Sequence, residues 1–503
     1  MNRTRRHIIT AALMAAMFLA AVEVTIVNAA MPTVVGALGG ISLYSWVFSA
    51  FMLSNTITVP VYGKLADLYG RKQVFISAVL LFVGGSALCG LAQSMEQLVF
   101  FRVIQGLGAG GVLPVAMTIV GDIFPFETRA KVQGWFSSVW GLAAIIGPFI
   151  GGWTVEHLSW RWIFWFNLPL GLIIVGVIHV FLPRKKEGED PTVDYTGAVL
   201  FTLSVFGFLL CTQLVSRLGW THPAIWGLLG GAAALLIGFF RREKKVEDPF
   251  IPLHLFRNRV IASSNITAFL TGMGMFGAIS FVPLYVQGVL GKSPTLSGLA
   301  ITPQVLGWST ASVIAGRWLL RNGYRQPILT GMVLISLSAG GFTWMDAETP
   351  YLWVLIGMFV LGLGLGLSMT AYIIAVQNAV SERQRGAATS SQMFARAMGG
   401  AFGVTILGAV MSSQLKSRIG AYIAQHQAEL SGKTIRQLEQ AQGVTQPEGL
   451  STLPPGIVDE ISRYLSQALD ATFVTAASIS LAALVVAFFL IPKGSARSLS
   501  VEE

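Results

Sequence analysis

Long apolar runs recur along the whole chain and are separated by short charged or Pro/Gly-rich segments. A helix needs about 20 apolar residues to cross the hydrocarbon of a bilayer. Runs of that kind lie near 8–30, 44–62, 74–93, 97–120, 133–153, 163–182, 194–215, 221–240, 260–284, 295–316, 327–346, 351–374, 387–412 and 469–491. The sequence therefore predicts an all-α membrane protein with 14 transmembrane helices.

The composition excludes most other classes of protein. Hydrophobic residues make up 53% of the 503 residues and charged residues only 12%, whereas soluble domains carry about 25% charged residues. Porin-type strands would instead alternate apolar and polar residues. The two cysteines provide neither a disulfide framework nor a metal-ligand spacing. No P-loop, metal cluster or catalytic triad is recognisable, so we expect no enzyme and no cofactor.

The net charge of +10 serves to orient the helices and does not indicate a nucleic-acid partner. If the N-terminus is inside, 24 Lys and Arg residues fall in inner segments and eight in outer segments. Short inner loops of membrane proteins are enriched in these residues. We therefore expect a multi-pass protein of the cytoplasmic membrane with both termini cytoplasmic. The alternative for the first run is a signal peptide, but Glu23 interrupts it.

Three glycine-containing patterns recur in the same order in both halves of the chain. The matched segments are 63–72 with 316–325, 106–110 with 362–366, and 32–39 with 283–291. The repeat predicts a 6+2+6 layout, with an N-terminal half at 1–183, two inserted helices and an inner linker at 184–258, and a C-terminal half at 259–503 that carries a long outer loop at 413–468. Such paired halves are typical of alternating-access transporters. Chance recurrence among 55 glycines is the alternative.

The segment Gly63–Lys72 reads as a charged loop after the second run. Gly70 permits a tight turn with positive φ. Asp67 can accept hydrogen bonds from Arg71, from Arg129 in the next inner loop, or from a helix N-terminus. A solvated basic turn that only orients the protein is the alternative.

Glu23 and Arg102 lie inside apolar runs, where charged residues are costly and normally paired. At 1.5 Å per residue, both are roughly 8–10 Å below the outer surface, so each can satisfy the other. Burial favours the neutral carboxyl and a nearby arginine favours the charged one. Glu23 therefore suits loading and release of a proton, and a static ion pair is the alternative.

A second glycine-rich stretch lies in the fifth run. Glycines at this spacing make a smooth helix contact face, and a proline bends the helix. The residues concerned are Gly141, Gly147, Pro148, Gly151 and Gly152. The alternative is a packing helix with no role in transport.

The strings Gly63–Lys72, Glu23–Pro32 and Gly141–Gly152 together resemble the major facilitator superfamily, and within it the drug:proton antiporter family with fourteen transmembrane spans. Glu23 stands where that family usually has Asp, and Leu320 stands where the second repeat would match Asp67. The resemblance implies the major facilitator fold and an inner latch made by Gly63, Asp67, Gly70, Arg71 and Arg129. It also implies proton coupling by Glu23 with Arg102 as its tuning partner.

The resemblance further implies export of amphiphilic, often cationic drugs or toxic compounds, driven by the proton gradient. We expect small molecules, protons and the lipid bilayer as partners, no nucleic acid, and a monomer. The candidate cavity residues are Glu23, Asn28, Gln105, Gln392 and Arg396. The alternatives are an exporter of a native lipid, lipid-linked precursor or self-made antibiotic on the same fold, a non-transporting receptor or assembly subunit, and an ion channel.

Overall fold

The computed structural model describes residues 2–39, 43–183, 194–246, 249–426 and 455–492, and every regular element in these ranges is helical. The helices are α1 (Arg3–Leu38), α2 (Tyr44–Tyr69), α3 (Arg71–Gly90), α4 (Met95–Ile123), α5 (Phe126–His157), α6 (Trp162–Trp165), α7 (Asn167–Phe181), α8 (Tyr195–Leu218), α9 (Pro223–Glu243), α10 (Arg259–Gly288), α11 (Pro294–Leu299), α12 (Thr302–Asn322), α13 (Arg325–Phe342), α14 (Tyr351–Asn378), α15 (Arg385–Gln425) and α16 (Pro455–Leu490). Short 3₁₀ turns at Leu253–Arg257 and Glu382–Gln384 precede α10 and α15.

Ten helices in the described ranges are long and apolar enough to cross a membrane. Helices α2, α5, α12 and α13 coincide with four of the predicted runs but are not among the ten. Three of them, α2, α5 and α12, pack between the two halves of the bundle, where a helix needs less lipid-facing apolar surface. The all-α fold is confirmed, whereas the count of fourteen spans stays a prediction.

The helices group into two bundles with separate cores. Helices α1 to α7 pack around two clusters of buried side chains. Helices α10 to α16 pack around a third. The two bundles meet along two seams, α2 against α15 and α5 against α12. Sites that depend on both halves must therefore lie at or between these seams.

Helices α8 and α9 pack against each other, and α8 also lies against both α2 and α15. The ring of Phe201 on α8 is 5.2 Å from that of Phe239 on α9 and 5.3 Å from that of Phe394 on α15. Ser49 on α2 donates a hydrogen bond to Gln213 on α8. The two inserted helices thus cover the α2–α15 seam.

Two segment boundaries differ from the sequence prediction. The segment Gly63–Lys72 is not a loop, because α2 continues to Tyr69 and α3 begins at Arg71. Gly70 alone separates the two helices, and it has the predicted positive φ of 85°, a conformation that glycine adopts at no steric cost. The predicted outer loop 413–468 is shorter, because α15 continues to Gln425 and α16 begins at Pro455. The remainder of that loop lies outside the described residues.

Candidate functional site

A fully buried ion pair joins α1 to α4 in the first half. Arg102 Nη1 donates to Glu23 Oε1 at 2.6 Å, and the two side chains are 1% and 0% exposed. The depth argument predicts this contact. Because both charges are removed from water, each depends on the other for its stabilisation.

The second oxygen of Glu23 is bonded as well. Asn167 Nδ2, at the start of α7, donates to Glu23 Oε2 at 2.7 Å and to Ser86 Oγ at 2.8 Å. Ser86 on α3 donates in turn to the carbonyl oxygen of Phe164. The carboxylate is therefore held by donors from two other helices, and the sequence assigned no role to Asn167 or Ser86.

Arg102 has further partners around its guanidinium. Its Nη1 donates to Gln105 Oε1 at 2.9 Å, and its Nε donates to the carbonyl oxygen of Val47. The guanidinium carbon lies 4.2 Å from the centre of the Phe51 ring. Gln105, a predicted cavity residue, is fully buried within this network. The arrangement orients Arg102 toward Glu23.

Asp67 lies near the C-terminal end of α2, whereas Val47 and Phe51 lie near its start. Asp67 bridges the two halves. The backbone N–H groups of Gly386 and Ala387, at the start of α15, donate to its two oxygens at 3.0 and 2.7 Å. Arg71 Nη2 donates to Asp67 at 2.9 Å. A carboxylate at a helix N-terminus is favoured by the unpaired N–H groups and the helix dipole. We call this end of the bundle the Asp67 end.

A charge chain continues from Arg71 across the α2–α15 seam. Arg71 Nε lies 3.0 Å from one oxygen of Asp122 at the end of α4, and Arg385 Nη1 lies 3.1 Å from the other. Arg71 also donates to the carbonyl oxygen of Glu382. Asp122 is thus shared by an arginine from each half, and no motif in the sequence points to it.

Two further latch residues contribute at the same end. Arg129 donates to Asn378 Oδ1 on α14 at 2.9 Å and to the carbonyl oxygen of Phe124. Gly63 allows α2 to approach α15 closely, because a Cβ there would clash with Ser390 and lie 2.8 Å from the carbonyl oxygen of Gly386. All five residues of the predicted latch therefore lie at the Asp67 end.

The glycine-rich stretch of α5 faces both halves. A Cβ at Gly147 would clash with Thr25 of α1, and a Cβ at Gly141 would lie 2.9 Å from Val305 of α12. Gly151 is buried, whereas Gly152 has open space around it. The side chains of Pro148 and of the cavity candidate Asn28 lie outside the described residues, and α5 is one uninterrupted helix.

The two remaining cavity candidates lie on α15 in the second half. Gln392 is 2% exposed, and Arg396, one turn later, is partly exposed beside the Trp308 ring. In the part of the chain that the structure describes, no cluster of three His, Cys, Asp or Glu side chains is suited to a metal ion.

Comparison with known proteins shows the family to which the chain belongs. The model of the Major Facilitator Superfamily matches residues 13–404. Multidrug transporter protein MdtP of Bacillus subtilis (strain 168) is 38% identical over 477 residues, which are 92% of this chain and 87% of that protein. Multidrug resistance protein 3 of the same organism is 32% identical over 478 residues, covering 95% of this chain and 93% of that protein.

The fold has solved counterparts at much lower identity. The human organic anion transporter MFSD10 (TETRAN) is 15% identical, with a TM-score of 0.64 over 97% of this chain and 100% of that one. A double Trp mutant of XylE has the same TM-score at 12% identity and covers 98% of this chain and 97% of that one. On these matches the chain belongs to the major facilitator superfamily, and it is a multi-pass membrane transporter rather than an enzyme.

Proposed function

We propose that the protein exports amphiphilic, often cationic drugs or toxic compounds across the cytoplasmic membrane in exchange for protons. Export is supported by the relatives that are named multidrug transporters and efflux pumps. Proton exchange is supported chiefly by one observation, the fully buried carboxyl group of Glu23 with donors on both oxygens.

The donors around Glu23 distinguish its two protonation states. The groups that face its oxygens, Arg102 Nη1 and Asn167 Nδ2, can donate but cannot accept a hydrogen bond. The carboxylate is satisfied by both. A carboxylic acid lacks the charge that attracts Arg102 and carries a hydrogen for which neither donor is a partner. Protonation therefore weakens the contacts of α1 with α4 and α7. A proton arriving from outside can in this way alter the packing of the first half.

The contacts at the Asp67 end suit alternating access, which antiport requires in addition to proton exchange. The two halves must separate at one end when they close at the other. At the Asp67 end they are joined by Asp67, Arg71 and Asp122 of the first half with the start of α15 in the second. This end would face the cytoplasm in the proposed orientation. Opening it toward the inside then requires these bonds to break.

Glu23→Gln tests the coupling in proteoliposomes that carry an imposed pH gradient. Glutamine keeps an acceptor oxygen for Arg102 but cannot exchange a proton. We expect efflux driven by the pH gradient to fall on the order of 100-fold, with substrate binding and gradient-free substrate exchange retained.

Glu243→Gln is the matched control, because Glu243 on α9 is also a buried carboxyl group and lies outside this network. Its efflux should remain close to the native rate, because glutamine keeps an oxygen that can accept the hydrogen bond from the Ile251 backbone N–H. Native proton-driven efflux by the Glu23→Gln variant would refute the coupling role.

A further inference from the structure

Arg102 and Arg396 are the two arginines inside the predicted apolar runs, and of these only Arg102 has a countercharge among the described residues. Arg102 is paired with Glu23, and Arg71 and Arg385 share Asp122. Within the described residues, the nitrogens of Arg396 have no hydrogen-bond or ion-pair partner. The guanidinium carbon lies 5.9 Å from the centre of the Trp308 ring. A charged side chain in a membrane helix is costly, and such residues usually mark a substrate or ion pathway.

A second unused donor lies next to Arg396. Gln392 precedes it by four residues on α15, so the two side chains share one helix face. Gln392 is buried, and its Nε2 has no hydrogen-bond partner among the described residues. A buried donor without a partner costs free energy unless something absent from the structure accepts its hydrogen. Two neighbouring side chains therefore offer N–H groups and lack an acceptor.

The backbone that carries these donors is fixed. Helix α10 contacts α15 so closely that a Cβ at Gly272 would clash with the carbonyl oxygen of Arg396. A Cβ at Gly399 would likewise clash with the carbonyl oxygen of Phe269. Close glycine contacts of this kind hold transmembrane helices in a defined register. Arg396 is thus presented from a rigid element, which suits specific recognition.

The three side chains together define the chemistry of a ligand. A guanidinium and an amide N–H favour an anionic oxygen acceptor, and an indole favours a flat apolar body. We propose that Arg396, Gln392 and Trp308 form a subsite in the second half that binds an acidic group, such as a carboxylate, sulfonate or phosphate, attached to an apolar or aromatic body. The inference rests on the proposed function and adds acidic and zwitterionic amphiphiles to its substrates.

A dye acid and its own ester provide the direct test. Binding of a carboxylate-bearing rhodamine and of its methyl ester would be measured on the purified full-length protein in detergent without a pH gradient. We expect the native protein to bind the acid about tenfold more tightly than Arg396→Gln does. The ester should bind both proteins within about threefold, because it presents no anionic oxygen.

Two further variants sharpen the comparison. Arg396→Lys keeps the charge but loses the planar fork, so it should retain part of the preference for the acid. Arg321→Gln, at the exposed end of α12, should change neither affinity. Equal losses for acid and ester in Arg396→Gln would overturn the proposal, since they indicate a structural role. The same holds if the native protein and Arg396→Gln bind the acid equally tightly.

The source of the acidic group is resolved by competition. Short-chain phosphatidylglycerol that displaces the dye acid from the native protein, and does so more weakly from Arg396→Gln, would assign the subsite to a lipid head group. Retention of the dye would assign it to soluble amphiphiles. The acid preference is measured without a gradient, so a failure of Glu23→Gln to abolish proton-driven efflux would refute the proposed coupling and leave this result standing.

Discussion

At the scale of single residues, the Glu23 network depends on the Asn167 amide, whose role the sequence does not reveal. Asn167 is the first residue of α7, and its amide links Glu23 on α1 to Ser86 on α3. Removing it leaves one oxygen of a buried carboxylate without that donor. The Asn167 amide is therefore expected to position Glu23 rather than to exchange protons itself.

Asn167→Leu tests this positioning role while keeping the number and branching of the side-chain heavy atoms. The loss of a charge-assisted hydrogen bond to a buried acceptor costs about 1–3 kcal/mol. We expect a lower temperature of thermal unfolding and slower proton-driven exchange, with substrate binding largely unchanged. Thermal unfolding in detergent and transport in proteoliposomes are the measurements.

Asn265→Leu is the matched control, because within the described parts of the chain the one hydrogen bond of the Asn265 side chain goes to the carbonyl oxygen of Ile261 on its own helix. Because that carbonyl oxygen belongs to the backbone hydrogen-bond ladder of α10, it keeps a partner without the Asn265 amide. Asn265→Leu should therefore lower the free energy of unfolding by less than about 0.5 kcal/mol. Equal destabilisation by the two leucine variants would contradict the special role of Asn167.

At this scale, the sequence predicts those residues whose burial in the membrane costs the most free energy. Glu23 and Arg102 are conspicuous because charges in apolar runs are rare, and their equal depth predicts the contact. Asn167 and Asp122 are inconspicuous because an amide or a carboxylate at a helix end is ordinary. Their roles arise only when separate helices pack together. The partner of Arg129 is equally hard to predict, because its bond to Asn378 joins residues from different halves.

At the scale of elements, the inserted pair α8–α9 contributes aromatic side chains to a buried cluster that includes residues of both halves. Phe201 lies between the rings of Phe239, Phe250 and Phe394. Leu53 and Ile57 of α2 belong to the same cluster of buried side chains. The repeat in the sequence predicts an insertion but does not say where it packs, because position relative to a seam is a property of the assembled bundle.

Phe201→Ala tests whether this cluster holds α8 against the seam. A buried phenylalanine truncated to alanine loses packing with its neighbours, at a cost on the order of 3 kcal/mol. We expect a clear decrease in the temperature of thermal unfolding.

Phe206→Ala on the same helix is the control, since Phe206 is 41% exposed on the outer surface of the bundle. It should change the unfolding free energy by less than about 1 kcal/mol. If the two variants unfold alike, the cluster does not anchor the inserted helices.

At the scale of the whole molecule, the repeat does not place an equivalent carboxylate at both seams between the halves. At the α2–α15 crossing, Asp67 binds the N-terminus of α15. In the repeated segment the corresponding residue is Leu320, which cannot accept hydrogen bonds. The sequence predicts this asymmetry from the repeat alone. It cannot predict that Asp122 and Arg385 extend the latch, because neither residue belongs to the matched segments.

Asp67→Asn tests the latch as a property of exchange between states. Asparagine keeps one acceptor oxygen but loses the charge that attracts Arg71 and the start of α15. The substitution lies at the Asp67 end, away from the Glu23 network, so substrate affinity should stay within about threefold. Turnover in proteoliposomes should fall on the order of tenfold, because about 1.4 kcal/mol of interaction that favours one state corresponds to that factor.

Glu382→Gln is the control for a charge at the same end of the bundle. The Glu382 carboxylate is 51% exposed and lies 3.6 Å from Arg385, and exposed pairs of this kind contribute about 0–1 kcal/mol. Its turnover should therefore remain close to native. A latch acts on the passage between states and not on the bound substrate, so Asp67→Asn must reduce turnover more than affinity. Equal reductions in both would show that Asp67 supports the binding site instead.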